Sequence, residues 1–152
     1  MPGKAGAVRI LGIDYGDRNI GLALSDPLQL TAQPLGQFRL AGDAENTAYF
    51  NQLVQRHEIG EIVLGFPLRM DGSSGTRAQK TRQFAAWLEA AVGIAVTLWD
   101  ERLTTQQAIG IMEEQKIRDK QKKLLEHQIS ATIILQSYLD HRRLERNVPQ
   151  NS

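Results

Sequence analysis

The sequence predicts an α/β domain built on a single mixed β-sheet flanked by helices. Three observations carry this reading. The first forty residues hold three short β-type runs separated by turn residues. From residue 44 onward, apolar strands alternate with segments of helical periodicity. A chain of 152 residues, 41% hydrophobic and 23% charged, can also bury an ordinary core within one domain, here expected over 1–146 with a flexible tail over 147–152.

The elements follow in order. Residues 7–14 (Ala-Val-Arg-Ile-Leu-Gly-Ile-Asp) read as a buried strand ending on an acid. Tyr15-Gly16-Asp17-Arg18-Asn19 is turn chemistry, since Gly16 and Asn19 both tolerate positive φ. Ile20 to Leu24 forms the second arm of a hairpin, and Ser25-Asp26-Pro27 ends it. A third strand is predicted over Gly36–Leu40, a helix over 44–57, and a continuous apolar strand over Ile59–Phe66, stopped by Pro67. The polar stretch 69–75 reads as a mobile loop. A helix then spans Arg77–Val92, and a strand over Ala95–Trp99 again ends on an acid, Asp100. Thr104 or Thr105 can N-cap a helix to about Gln115, a basic connector covers 116–123, and a long helix spans roughly Leu124 to Arg143.

Composition narrows the chemistry. With no cysteine in the chain, disulfides, thiolate nucleophiles and cysteine-bound zinc are excluded, which fits a reducing, cytoplasmic setting. No apolar run reaches the roughly 20 residues of a membrane span, and the start Met-Pro-Gly-Lys does not read as a signal peptide. The net charge of +1 is uninformative, but its distribution is not. Lys116, Arg118, Lys120, Lys122 and Lys123 cluster; so do Arg142, Arg143 and Arg146, and a third group is Arg77, Lys80 and Arg82. Such groups either bind phosphates or simply solvate a face.

Two acids stand at the ends of buried strands, Asp14 and Asp100. Were those strands neighbours, the carboxylates would meet where open α/β sheets bind ligands, and a divalent cation would offset their repulsion. Each is equally readable as an ordinary strand-end residue.

Four blocks point further. Ile-Leu-Gly-Ile-Asp-Tyr-Gly (10–16) runs into Ile-Gly-Leu-Ala-Leu-Ser-Asp-Pro (20–27); the others are 63–75, Trp-Asp-Glu-Arg-Leu-Thr-Thr (99–105) and Ala-Thr-Ile-Ile-Leu-Gln-Ser-Tyr-Leu (131–139). In order and spacing, from about residue 8 to 142, they resemble the YqgF (RuvX) family of resolvases and precursor ribosomal RNA nucleases. The resemblance implies a ribonuclease-H-like fold with a five-stranded mixed sheet, its first three strands antiparallel. It implies an endonuclease that hydrolyses phosphodiester bonds with Mg2+ or Mn2+. Its substrate would be the 5′ end of precursor 16S ribosomal RNA in ribosome biogenesis, or alternatively a Holliday junction in DNA recombination. A partner role for the ribosome or its assembly intermediates follows from the first, and a non-catalytic nucleic-acid-binding assembly factor is a third reading.

By the family pattern the catalytic set draws on Asp14, Asp100, Glu101 and one residue near the start of the last helix. There this chain departs: the family usually has aspartate, and the matching position is His127. His127, Ala131, Ile134 and Tyr138 recur at helical spacing, so the histidine shares their apolar face and points toward the sheet. Asp14, Asp100 and His127 are the expected metal ligands. Because imidazole favours manganese or zinc over magnesium, His127 would select a softer metal, handle a proton, or leave a weak second site. Arg18, Arg102 and the cluster Lys116, Arg118, Lys120, Lys122 and Lys123 are the expected nucleic-acid contacts. The opening motif also resembles the phosphate loop of sugar kinases, but those need two such domains. Trp87 and Trp99 read as core rather than as base-stacking platforms.

Overall fold

β1 (Arg9–Tyr15) is buried at its five central positions, all apolar or glycine but Asp14, as suits a strand covered on both faces. In the computed structural model, which describes residues 8–16, 18–67, 75–101, 103, 110, 113–114 and 126–147, it lies at the centre of a five-stranded sheet of order β3-β2-β1-β4-β5. β2 (Asn19–Ser25) and β3 (Ala32–Arg39) continue antiparallel on one side. β4 (Ile59–Phe66) and β5 (Val96–Asp100) run parallel to β1 on the other.

Three helices are described: α1 (Asp43–His57), α2 (Thr76–Val92) and α3 (Glu126–Asn147). Pleat alternation sends Leu11 and Ile13 to one face, where they pack with Phe50 of α1 and with Phe84 and Leu88 of α2. Ile10, with Ala23 and Val63, meets Ala131, Ile134, Leu135 and Leu139 of α3 on the other face. Trp87 joins the first core, against Phe50 and Phe84; Trp99 stacks edge-on against Tyr138 beside the second.

The predicted elements that fall on described residues hold within a few residues except β3, which begins at Ala32 rather than Gly36. Pro34 hides this start, because proline cannot donate to a ladder; at a sheet edge that loss is tolerated. Pairing also shifts register between Leu22 and Ala23, leaving an extra residue in β3 next to Gly36, whose φ of 151° only glycine adopts readily. The last helix runs on to Asn147; residues 148–152, the connector 116–123, and most of the predicted 104–115 helix and 69–75 loop lie outside the described residues. No helix among the described residues is long and apolar enough to cross a membrane.

Close contact between α3 and the sheet is the feature that positions the site. A Cβ at Gly12 would lie 2.7 Å from Leu135 Cβ, and one at Gly65 would lie 3.2 Å from Ile134 Cγ1. A Cβ at Gly21 would fall on the backbone carbonyl of His127. Glycines on three adjacent strands thus let the helix backbone descend onto the sheet. Gln136, fully buried, then fastens α3 to the β2–β3 connection: its Oε1 accepts from Ala32 N–H (2.9 Å) and its Nε2 donates to Leu30 O (3.1 Å).

Candidate active site

Asp14 belongs to the half of β1 that faces α3, and it is 5% exposed. Its partner across the ladder is Gly21. The absent side chain there lets the first turn of α3 settle directly above the carboxylate, and His127 is the residue that arrives. Its Nδ1 lies 2.8 Å from Asp14 Oδ2. The ring also nests against Gly16, where a Cβ would approach Cε1 to 2.8 Å. With Asp14 ionised, Nδ1–H donates, so the neutral imidazole keeps Nε2 as an acceptor.

Burial pushes the Asp14 carboxyl above its ordinary range, opposed by the His127 hydrogen bond and charge and by the Arg77 guanidinium. Glu101 is raised too, first by burial and then by the negative charge of Asp14, with Arg77 opposing and Asp100 adding to the rise. A buried carboxyl whose charge raises a second, partly desolvated one is the arrangement a cation relieves.

The adjacent acids Asp100 and Glu101 diverge. Asp100 is in register with Phe66, whose ring lies 4.7 Å from the Arg82 guanidinium of α2, so it projects to the α2 side. Glu101 has its Cγ 3.3 Å from the position of a Gly65 Cβ, on the α3 side with Asp14. The structure therefore brings Asp14, His127 and Glu101 to one face and sets Asp100 on the other. Among the described residues no three His, Asp or Glu side chains form a closed cation-binding group.

Beside this group opens a cavity of about 540 Å³, lined by Arg18 and Asn19 from the β1–β2 turn, by Thr76, Arg77 and Lys80 from α2, and by His127. Arg18 is thus placed at the site, whereas Arg102, Lys116, Arg118, Lys120, Lys122 and Lys123 lie outside the described residues. Arg77 and Lys80 were visible in the sequence only as a basic group following a Gly/Ser-rich stretch. Their spacing of three on a helix start was the available signal.

A mixed sheet of this order, with an acid on its central strand covered by the start of a long helix, defines a ribonuclease-H-like protein. Solved structures agree on the fold. RuvC of T. thermophilus in complex with a Holliday junction substrate superposes with a TM-score of 0.58 at 16% identity, covering 90% of this chain and 96% of that one. The fowlpox virus resolvase with Holliday junction DNA gives 0.56 at 10% identity, covering 89% and 99%. The chain belongs to the RuvX family, whose model, described as Holliday junction resolvase, matches residues 8–141. A relative from Dictyoglomus thermophilum is 41% identical over 138 residues, 91% of this chain and 99% of its own length. One from Acetivibrio thermocellus is 44% identical over 135 residues, 88% and 96%. Both bear the name "Putative pre-16S rRNA nuclease".

Proposed function

We propose that this chain is a cytoplasmic, divalent-metal-dependent endonuclease that processes the 5′ end of precursor 16S ribosomal RNA in ribosome biogenesis, working on ribosomal assembly intermediates. The observation that carries the reading is the buried Asp14 carboxylate, bonded to His127 and electrostatically coupled to Glu101, on the central strand of a RuvX chain.

Asp14 and Glu101 are the residues that would hold a cation, Mg2+ or Mn2+ by their oxygen chemistry, with Asp100 adding negative charge from the opposite side of the strand end. When bound, a divalent cation acidifies water and offsets the charge that builds on a phosphoryl group. The remaining work falls to the chain itself. Asp14 fixes the His127 tautomer through Nδ1, and Nε2 takes the proton of the attacking water. Asp14 thus both supports the cation and orients the base, so its loss removes two functions together.

The experiment is incubation of precursor 16S RNA with wild type and Asp14→Asn, first in magnesium and then in manganese. Wild type cleaves and the variant does not; equal cleavage by both removes the enzyme. His127→Asp should tighten Mg2+ binding in a calorimetric titration, since it exchanges an imidazole for a hard oxygen ligand. The family description favours a second reading, cleavage of branched DNA. A four-way junction cut faster than precursor RNA in the same assay would establish it.

A further inference from the structure

The cavity beside His127 is larger than a proton-transfer site requires, and the charged side chains among its described lining residues are basic. Arg18 reaches it from the β1–β2 turn, and Arg77 and Lys80 stand three residues apart at the start of α2. These groups come from distant parts of the sequence, yet they meet on one concave surface. Like charges gathered in this way repel one another, so the arrangement makes sense toward an anion.

The start of α2 adds to it. Gly75 occupies the N-cap position with no side chain to bond the first amides, and the first turn has no acidic residue. The positive end of a 17-residue helix therefore reinforces Arg77 and Lys80. Among the described residues, no aspartate or glutamate lines the cavity.

We propose that this cavity is a phosphate subsite: Arg77, Lys80 and Arg18 hold the phosphate of a nucleotide adjoining the one cleaved at Asp14. The volume admits a sugar with its phosphate. The proposal rests on the endonuclease reading for its ligand, a nucleic-acid strand. Arg77 links the two places, since its charge also acts on Asp14 and Glu101. The shared chemistry is a ribose-linked phosphate, whether an internal diester or a terminal monoester.

The test uses the full chain and a short single-stranded RNA labelled at its 3′ end, with and without a 5′-phosphate. Binding is followed by fluorescence anisotropy in EDTA, so that no cleavage intervenes. Arg77→Gln and Lys80→Gln should each weaken binding about tenfold at low salt. Each should also flatten the slope of log K against log salt by about 0.7, and the double variant by about 1.4. Arg77→Lys, which keeps the charge, should restore most of the slope. Arg56→Gln, an equal loss of charge in the last turn of α1, should leave it unchanged.

Slopes equal to wild type in both single variants, each with a wild-type melting temperature, overturn the proposal. An effect that persists without the 5′-phosphate assigns an internal diester, and one that vanishes assigns a terminal phosphate; either supports the subsite. Because binding is read without metal, the outcome is separate from that of the nuclease reading. A protein that cleaves but shows unchanged slopes loses the subsite alone, and one that shows the slopes but never cleaves loses the nuclease alone.

Discussion

Gly21→Ala tests whether the approach of α3 to the sheet sets the chemistry of Asp14. The added methyl would fall on the His127 carbonyl and stand 2.5 Å from the Gln128 amide nitrogen. Non-bonded heavy atoms rest at about 3.5 Å, and the obstruction is backbone, so no rotamer change relieves it; the helix start must retreat by more than about 1 Å. The His127 Nδ1 to Asp14 Oδ2 distance of 2.8 Å then opens beyond hydrogen-bonding range. Overpacking costs about 1–3 kcal/mol and the lost charge-assisted bond adds to it, so a fall of about 2–4 kcal/mol in the urea-derived stability is expected. A displacement of about 1 Å at a catalytic group also lowers cleavage roughly 100-fold. Urea unfolding followed by far-ultraviolet circular dichroism gives the first quantity, and initial cleavage rates on precursor RNA give the second. A variant with the wild-type unfolding midpoint, or one destabilised but cleaving at the wild-type rate, refutes the link between this glycine and the histidine.

Other outcomes follow from the same contacts. Burial raises the Asp14 pKa, so the ionised form destabilises the fold, and that stability is lost as pH rises from the ordinary 3.8 through the raised value. Asp14→Asn should therefore be more stable than wild type at pH 7, with the difference closing at acid pH; chemical denaturation across pH checks the sign. Gln136→Leu strips partners from Ala32 N–H, Leu30 O and Asp140, and should cost about 2–4 kcal/mol in urea unfolding. Tyr138 is pushed up to about 12 by burial and by its bond to Glu61. An alkaline absorbance titration should show a late-ionising step from Tyr138, which Glu61→Gln moves to lower pH.

Much of this arrangement was readable from periodicity. The run Ile59–Phe66 matched β4 to the residue, because its buried part, Ile62–Phe66, leaves a continuous signal free of polar side chains. The i, i+4, i+7 spacing placed His127 on the face of α3 that packs against the sheet. Periodicity fell short where a strand ended or a sheet folded over. Which of Asp100 and Glu101 faces Asp14 depends on the pleat phase of β5 relative to β4, a cross-strand relation that no local pattern carries. The start of β3 was hidden by Pro34 and the irregular pairing before Gly36. Arg77 and Lys80 reach the site only because α2 begins above the strand ends, which is tertiary information.

The fit of Gly21 beneath His127 separates the address of a site position from its content. Whatever side chain stands at 127 is delivered above Asp14, because the delivering element is helix backbone resting on a bare strand. The residue there can change from an oxygen ligand to a nitrogen base without a new loop or a new packing arrangement. A fold with such a socket can exchange one catalytic chemistry for another by single substitutions, while the glycine holds the position fixed.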